Sequence, residues 1–252
     1  MPSSDSMNAS KSKQNPEEID VVVLCGGLGT RLRSVVANNP KPMADVNGQP
    51  FLAHIMDYLT GAGFVHFVLG CGYKAEAVRS YFEIWEKKVS IEYSLEKIPL
   101  GTGGAVKNAL PFLRSNPVLV LNGDSFCRVD YDGLLATHAQ TSASITMAVS
   151  RMASRADYGQ IELGDSDRVL GFREKGMNTE GGWINAGVYV FDKRVIEQMP
   201  DSIPLSLEKD VFPAWIGGDF RAFRTEEPVY DIGTPERYEL ARKTFAASRK
   251  GE

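Results

Sequence analysis

The chain has 252 residues, of which 43% are hydrophobic and 24% are charged, a balance typical of a soluble globular protein. Its net charge of −4 provides no overall basic field, so the composition does not favour a nucleic-acid partner. The three cysteines are widely spaced and form no CxxC pair. They therefore predict neither a disulfide framework nor a zinc site, and they fit a reducing cytoplasm.

The N-terminal segment is polar and contains no apolar stretch that could serve as the core of a signal peptide. We predict a disordered arm over residues 1–18, followed by a single domain over residues 19–247. No apolar run reaches the ~20 residues that a membrane-spanning helix requires. The sequence therefore predicts a cytoplasmic protein without membrane contacts.

Short β-rich runs alternate with longer helical runs through the first half of this domain. Residues 21–25 are continuously apolar, which is typical of a strand covered on both faces. The patterning predicts further strands and helices, with strands at residues 66–69, 89–93 and 117–124 and helices at residues 51–59, 74–85 and 102–113. Because strands that alternate with helices form parallel sheets with right-handed crossovers, we expect an α/β domain.

The second half of the domain is richer in strands. The patterning predicts strands at residues 144–149, 160–163, 169–173 and 183–191, and helices at residues 193–199, 206–216 and 235–246. Pro235 suits the first turn of the last helix, and Thr234 is its expected cap.

A glycine-rich turn follows the first predicted strand, in the stretch VVVLCGGLGTRLRSVV at residues 21–36. It is not a dinucleotide-binding motif, because Leu32 stands where the third glycine of G-x-G-x-x-G belongs and no acid follows at the required spacing. The same residue argues against the hypothesis that the chain is a nicotinamide-dependent oxidoreductase. The turn is not a P-loop either, since no Gly-Lys-Ser/Thr occurs. A glycine turn whose N–H groups can approach phosphates remains, beside Arg31 and Lys41. On these residues alone, an ordinary tight turn stays an alternative.

Seven sequence blocks occur in order between about residues 20 and 240. They are LCGGLGTRL with PKPM, PLGTGGAV, LNGDSF, YGQI, FREK, INAGVYVF and YDIGTPERY. The chain thereby resembles the sugar-nucleotidyltransferase family, whose members make nucleoside-diphosphate sugars. The resemblance implies a Rossmann-like, GT-A-like fold: one domain with a mixed, mostly parallel sheet flanked by helices. Its N-terminal half would bind the nucleotide and its C-terminal half the sugar.

Within this family the chain most resembles the D-glycero-α-D-manno-heptose 1-phosphate guanylyltransferases. This implies transfer from GTP to a heptose 1-phosphate, giving GDP-heptose and pyrophosphate. One departure from the pattern of these enzymes is Arg173, which stands where a second acid often precedes the Glu-Lys pair.

Two alternatives to this function stay open. One is another sugar-1-phosphate nucleotidyltransferase, with mannose, glucose or N-acetylmuramate 1-phosphate and GTP, dTTP or UTP. The other is a non-catalytic subunit that binds nucleotide sugars.

The resemblance also assigns roles to individual residues. Arg31 and Lys41 are the expected catalytic cations. The nucleotide would contact Leu24, Gly26, Gly27, Gly29, Thr30, Gly101, Thr102 and Gly103. The sugar phosphate would contact Tyr158, Gly159, Glu174, Lys175 and Asn185.

The attacking group in this reaction is a phosphate monoester, whose second pKa is about 6, so it is ionised at neutral pH. No general base is required, and we interpret His54, His66 and His138 as structural residues.

The expected partners are small-molecule substrates, without nucleic acid or membrane, and a homodimer stays open.

Asp124 and Asp231 each follow an apolar run, in VLVLNGD and PVYDIG. Either one alone could be an ordinary turn or cap residue. Mg²⁺ prefers a few carboxylate oxygens together with phosphates and water. As a pair within the family blocks, the two aspartates are therefore the predicted Mg²⁺ ligands.

Overall fold

The computed structural model describes residues 14–27, 32, 39–152, 159–173 and 181–248. Its strands are β1 (Asp20–Leu24), β2 (Asp45–Val46), β3 (Gln49–Pro50), β4 (His66–Cys71), β5 (Ser90–Leu95), β6 (Val118–Asn122), β7 (Ser125–Cys127), β8 (Ile145–Met152), β9 (Gln160–Leu163), β10 (Val169–Arg173), β11 (Gly182–Phe191), β12 (Phe220–Thr225) and β13 (Val229–Asp231). Its α-helices are α1 (Phe51–Gly61), α2 (Ala75–Phe82), α3 (Gly101–Asn108), α4 (Tyr131–Thr141), α5 (Lys193–Gln198), α6 (Phe212–Trp215) and α7 (Pro235–Ser248).

Within the described residues, nine strands form a mixed sheet at the centre of the fold, and helices flank it. Strands β5, β4, β1 and β6 lie side by side and run parallel. Strand β11 then pairs antiparallel with β6, and β8 and β9 pair antiparallel with β11. The predicted α/β domain, with parallel pairing through its first half, is confirmed.

Strand β1 lies between two layers of the core. Successive side chains of a strand point to opposite faces. Val21 and Val23 accordingly pack in the apolar cluster that contains Phe51 of α1. Val22 packs in the cluster on the other face, with Val106 of α3. Both faces of β1 are therefore buried, which explains why its sequence is apolar without alternation.

Several predicted elements need correction at their ends. The helix predicted over residues 102–113 stops at Asn108 and continues as a 3₁₀ turn, Leu110–Phe112, because Pro111 cannot continue an α-helix. The helix predicted over 206–216 is a π-helical turn, Leu207–Val211, followed by α6. The predicted cap of α7 is present, since Thr234 Oγ1 accepts a hydrogen bond from the Arg237 N–H at 3.4 Å.

Helix α4 and strand β12 were not predicted. Asp130 caps α4 by accepting a hydrogen bond from Gly133 N at 3.1 Å. In β12, Phe220 and Ala222 are buried, but two arginines interrupt the apolar pattern. Pairing with β8, rather than its own composition, stabilises β12 as a strand.

The first described segment leads directly into the central sheet, and the last one packs on a helix. Pro16–Glu18 forms one 3₁₀ turn directly before β1, while residues 1–13 of the predicted disordered arm lie outside the described residues. Helix α7 packs on α1, with Phe245 5.9 Å from Phe51 between ring centroids. Within the described part of the chain, no helix has the length and apolarity needed to span a membrane.

Candidate active site

A cleft of about 470 Å³ opens at the carboxyl ends of β1, β5 and β6. Open α/β sheets bind their ligands at this edge. Leu24, Gly26 and Gly27 line the cleft from the end of β1, and Asn122 and Asp124 line it from the end of β6. The glycine turn and the first predicted metal ligand, Asp124, therefore share one cavity.

Gly26 lies against the carboxylate of Glu96. A Cβ added at Gly26 would collide with Oε1 of Glu96 and approach the Gly72 N at 3.3 Å. Only glycine leaves room for this carboxylate at the turn. With glycine at this position the carboxylate of Glu96 can lie beside the turn, where both residues line the cleft.

The start of α3 forms the opposite wall, where Gly101 and Thr102 line the cleft. Gly101 has a φ of +78°, and a Cβ there would collide with the carbonyl oxygen of Leu205. Thr102 Oγ1 donates to Glu208 Oε2 at 3.1 Å and accepts from Leu207 N at 2.8 Å. These contacts connect α3 to the segment at residues 205–211.

Gly103 occupies a different position from its two neighbours. Its N–H donates to the Leu205 carbonyl at 2.8 Å, and the residue is buried against Leu205 and Val211. It is not among the residues that line the cleft. The structure therefore brings Gly101 and Thr102 to the cavity and places Gly103 behind them.

Lys41 and Asp124 form a direct ion pair in the cleft. Nζ of Lys41 lies 2.6 Å from Oδ2 of Asp124. The lysine side chain is 15% exposed and the aspartate 42%, so the lysine is held inward while the carboxylate remains open to the cavity. This pair joins the predicted catalytic cation to a predicted metal ligand.

Asp231 reaches the same end of the sheet through backbone pairing. Strand β13 runs antiparallel to β7 with Asp231 opposite Ser125, and the Ile232 N–H donates to the Asp124 carbonyl at 3.1 Å. The Asp231 carboxylate accepts from Gly233 N at 2.8 Å and from Arg237 Nη1 at 3.1 and 3.3 Å. The two predicted metal ligands thus lie on neighbouring backbone segments.

Asn185, predicted to contact the sugar phosphate, has both ends of its amide engaged within the fold. Its Nδ2 donates to the hydroxyl of Tyr189 at 2.7 Å, and its Oδ1 accepts from Gly187 N at 2.8 Å. Both partners belong to β11, at the point where its pairing with β8 shifts register, so these hydrogen bonds hold the irregular part of the strand.

Of the remaining predicted site residues, Gly159 belongs to the described part of the chain. Gly159 is half-buried directly before β9. Outside the described residues lie Gly29, Thr30, Arg31, Tyr158, Glu174 and Lys175.

Glu96 and Asn122 were not predicted as site residues, and both line the cleft. Glu96 directly follows β5, as Asp124 follows β6, so the rule that polar residues at strand ends form sites would have found it. Burial raises the pKa of Glu96, and the hydrogen bond from Leu100 N to its Oε2, 3.1 Å long, opposes that rise.

Neither the cysteines nor the histidines contribute to the cavity lining. Cys25 is buried beside the cleft, and a hydrogen bond with the Cys71 thiol, followed by burial, raises its pKa well above the usual value. It stays a neutral thiol at pH 7. His138 is buried, with Nδ1 2.9 Å from Thr146 Oγ1. The ionisable side chains in the described lining of the cleft are therefore those of Lys41, Glu96, Asp124 and Glu208.

Residues 20–247 match the protein family described as Nucleotidyl transferase. The chain belongs to this family. A nucleotidyltransferase needs cations that neutralise a triphosphate and a surface that approaches its oxygens closely. In this chain the glycine turn, Lys41 and Asp124 line one cleft at the end of the sheet.

Three relatives illustrate the likeness. The nucleotidyltransferase is 38% identical over 226 residues to D-glycero-alpha-D-manno-heptose 1-phosphate guanylyltransferase of Aneurinibacillus thermoaerophilus, covering 89% of this chain and 97% of that protein. It is 37% identical over 225 residues to Mannose-1-phosphate guanylyltransferase of Mycobacterium tuberculosis, covering 88% of this chain and 63% of that protein. A crystal structure of HddC from Yersinia pseudotuberculosis complexed with GMP-PN superimposes with a TM-score of 0.81 at 36% identity, covering 90% of this chain and 99% of HddC.

Proposed function

We propose that this nucleotidyltransferase transfers a guanylyl group from GTP to D-glycero-α-D-manno-heptose 1-phosphate and releases pyrophosphate. The observation that carries the proposal is the 38% identity to a heptose 1-phosphate guanylyltransferase along 97% of that protein. The crystal structure of HddC complexed with GMP-PN supports a guanine nucleotide in the cleft.

In this proposal the chain positions two anionic substrates rather than activating a nucleophile. The sugar 1-phosphate is already ionised at neutral pH, because its second pKa is about 6. The cost of the reaction lies in bringing two polyanions together in line and stabilising the charge that develops between them. The glycine turn would hold the triphosphate by backbone N–H groups. Lys41, together with Arg31 as the resemblance implies, would neutralise its oxygens.

Asp124 and Asp231 fit a divalent cation such as Mg²⁺ by the chemistry of their donor set. They supply two carboxylates from neighbouring segments. No group of three or more His, Cys, Asp or Glu ligands occurs among the described residues. Mg²⁺ is commonly held by one or two carboxylates together with substrate phosphates and water. When bound, the ion would neutralise phosphate charge and orient the reacting oxygens.

Glu96 is the residue that we propose to read the guanine base. Its Oε2 is fixed by Leu100 N, and its Oε1 faces the glycine turn. An ionised carboxylate accepts hydrogen bonds only. The Watson–Crick edge of guanine offers two adjacent donors, N1–H and N2–H, whereas uracil and thymine offer one N–H between two carbonyls. A fixed carboxylate at this position therefore favours guanine over the pyrimidines.

The sugar-phosphate contacts proposed for Tyr158, Gly159, Glu174 and Lys175 rest on the resemblance. For Asn185 the internal bonds to Tyr189 and Gly187 indicate that it also maintains the shape of β11 beside the cleft. We further propose small-molecule substrates as its partners and a cytoplasmic location. The homodimer stays a proposal that sedimentation equilibrium can test.

A matrix of GTP, dTTP and UTP against heptose, mannose and glucose 1-phosphates, with pyrophosphate release as readout, tests the proposal. We expect the highest kcat/KM for GTP with heptose 1-phosphate. Pyrophosphate release with only GTP and mannose 1-phosphate would change the assigned sugar to mannose and leave the assigned base as guanine. The absence of release from every pair would leave a non-catalytic nucleotide-sugar-binding protein as the better reading.

Mannose 1-phosphate is the second candidate acceptor. The identity to Mannose-1-phosphate guanylyltransferase of Mycobacterium tuberculosis, 37% over 225 residues, is nearly as high as that to the heptose 1-phosphate guanylyltransferase. The chain spans about 63% of that relative's length. The same matrix separates the two sugars directly, because both reactions release pyrophosphate from GTP.

A further inference from the structure

A basic side chain engages each of the two proposed metal ligands. Lys41 pairs with Asp124 at 2.6 Å, and Arg237 pairs with Asp231 at 3.1 Å. The pairs are adjacent, since a Cβ placed on Gly233 would lie 2.7 Å from Asp231 Oδ1 and 3.7 Å from Lys41 Nζ. The cluster contains equal numbers of positive and negative side chains. It is therefore poorly suited to attract a free divalent cation.

Arg237 is placed to act on Asp231 by the start of helix α7. Thr234 caps the helix by accepting the Arg237 N–H, which sets the first turn beside the end of β13. From there Nη1 of Arg237 reaches both carboxylate oxygens of Asp231, while Gly233 N–H binds Oδ1. The side chains of Asp231 and Arg237 are 14% and 25% exposed, so water screens their interaction only partly.

We propose that Arg237 is a positioning residue that fixes the Asp231 carboxylate and makes divalent-cation binding depend on the nucleotide. A guanidinium in contact with both oxygens repels a divalent cation and competes for the same lone pairs. A bound triphosphate brings several negative charges into the cleft and supplies oxygen ligands of its own. The metal then binds with the nucleotide rather than before it. This inference rests on the metal role proposed for Asp124 and Asp231.

Mn²⁺ titration tests the effect of Arg237 on cation binding without turnover. Electron paramagnetic resonance measures the concentration of the free ion during the titration. Without nucleotide, we expect Arg237→Gln to bind Mn²⁺ at least about fivefold more tightly than the wild type, because couplings of this kind span roughly 5- to 150-fold. Arg237→Lys retains the charge and should bind nearly as weakly as the wild type. Unchanged or weaker Mn²⁺ binding by Arg237→Gln would overturn the proposal.

Arg242→Gln is the matched control. Arg242 lies on the same helix but pairs with Glu239 at the surface, 3.2 Å apart, so its replacement should leave Mn²⁺ affinity unchanged. If Arg242→Gln binds Mn²⁺ as tightly as Arg237→Gln does, the gain in affinity comes from the change in net charge. That result would contradict a local role for Arg237. Circular dichroism and thermal unfolding check that each variant keeps the wild-type helix content and fold.

A second measurement uses the wild type alone and so does not depend on any variant folding. Mn²⁺ affinity is compared with and without a saturating non-hydrolysable GTP analogue. We expect at least about fivefold tighter binding with the analogue, and equal affinities would overturn the proposal. If the analogue itself does not bind, the proposed guanylyl transfer fails. The nucleotide-free comparison of wild type and Arg237→Gln still tests Arg237.

Discussion

The ammonium group of Lys41 lies 2.6 Å from the Asp124 carboxylate, across 83 positions of sequence. The pair stands at the end of β6, where the glycine turn, Glu96 and the start of α3 also meet. Because both groups face the cleft, each has a partner within the protein and a potential partner in the substrate complex.

Lys41→Met should lower kcat by about 100-fold or more, since removal of one donor that stabilises transition-state charge typically costs that much. The measurement is steady-state pyrophosphate release with saturating GTP and sugar 1-phosphate. Lys88→Met, at an exposed position remote from the cleft, serves as the control and should retain activity. A Lys41→Met enzyme within threefold of the wild type would remove Lys41 from the catalytic residues.

Asp124→Asn should abolish metal-dependent turnover while the fold is retained. The amide keeps the size of the side chain but loses the negative charge that a divalent cation requires. Activity is measured over a range of Mg²⁺ concentrations, and thermal unfolding checks the fold. Near-normal turnover at low Mg²⁺ would show that Asp124 does not hold the metal.

Glu96→Gln should reduce the preference for GTP over UTP by roughly tenfold or more. The substitution replaces one of two acceptor oxygens by a donor that faces the guanine N–H groups, and an unmatched polar contact costs about 1–3 kcal/mol. The quantity to measure is the ratio of kcat/KM for the two nucleotides. Glu92→Gln, in the edge strand β5 but outside the cleft lining, is the control. An unchanged ratio for Glu96→Gln would contradict base reading by Glu96.

Gly101→Ala should destabilise the protein by about 2 kcal/mol or more. The residue has a φ of +78°, which costs an alanine roughly 1–2 kcal/mol, and the added Cβ would collide with the Leu205 carbonyl. Urea unfolding measures the loss. Gly61→Ala, at the end of α1 with open space around its Cβ, should be neutral or slightly stabilising. Similar stabilities of the two variants would be inconsistent with the packing at Gly101.

His138 should make stability depend on pH. Burial lowers its pKa from 6.5 to about 4, against a smaller opposing effect of Asp192. Between pH 6.5 and pH 4 this histidine is protonated in the unfolded chain but still neutral in the folded protein. The stabilising contribution of His138 is therefore fully present above pH 6.5 and is lost as pH falls toward 4. The expected loss between pH 7 and pH 5 is about 2 kcal/mol.

His138→Gln removes this titration, so its unfolding free energy should fall less over the same interval. Urea unfolding of wild type and variant at pH 7 and pH 5 provides the comparison. Equal losses in the two proteins would mean that His138 does not control this part of the pH dependence.

Local chemistry accounts for what was predicted correctly. The apolar run at residues 21–25 predicted a strand covered on both faces, and β1 is such a strand. The strands at Gln160–Leu163 and Val169–Arg173 were predicted to the residue. Lys41, Asp124 and the glycines at 26, 27 and 101 line one cleft, while their roles in the reaction stay predictions.

The sequence by itself determined the alternation of elements, the class of chemistry and the glycines at the turn, because these depend on side-chain periodicity and on short motifs. Only the tertiary structure decided which groups meet. Backbone hydrogen bonds between β7 and β13 bring Asp231 beside Asp124, and such bonds are available to almost any sequence. The approach of Glu96 to Gly26 and of Arg237 to Asp231 likewise depends on how strands and helices pack, which no local pattern records.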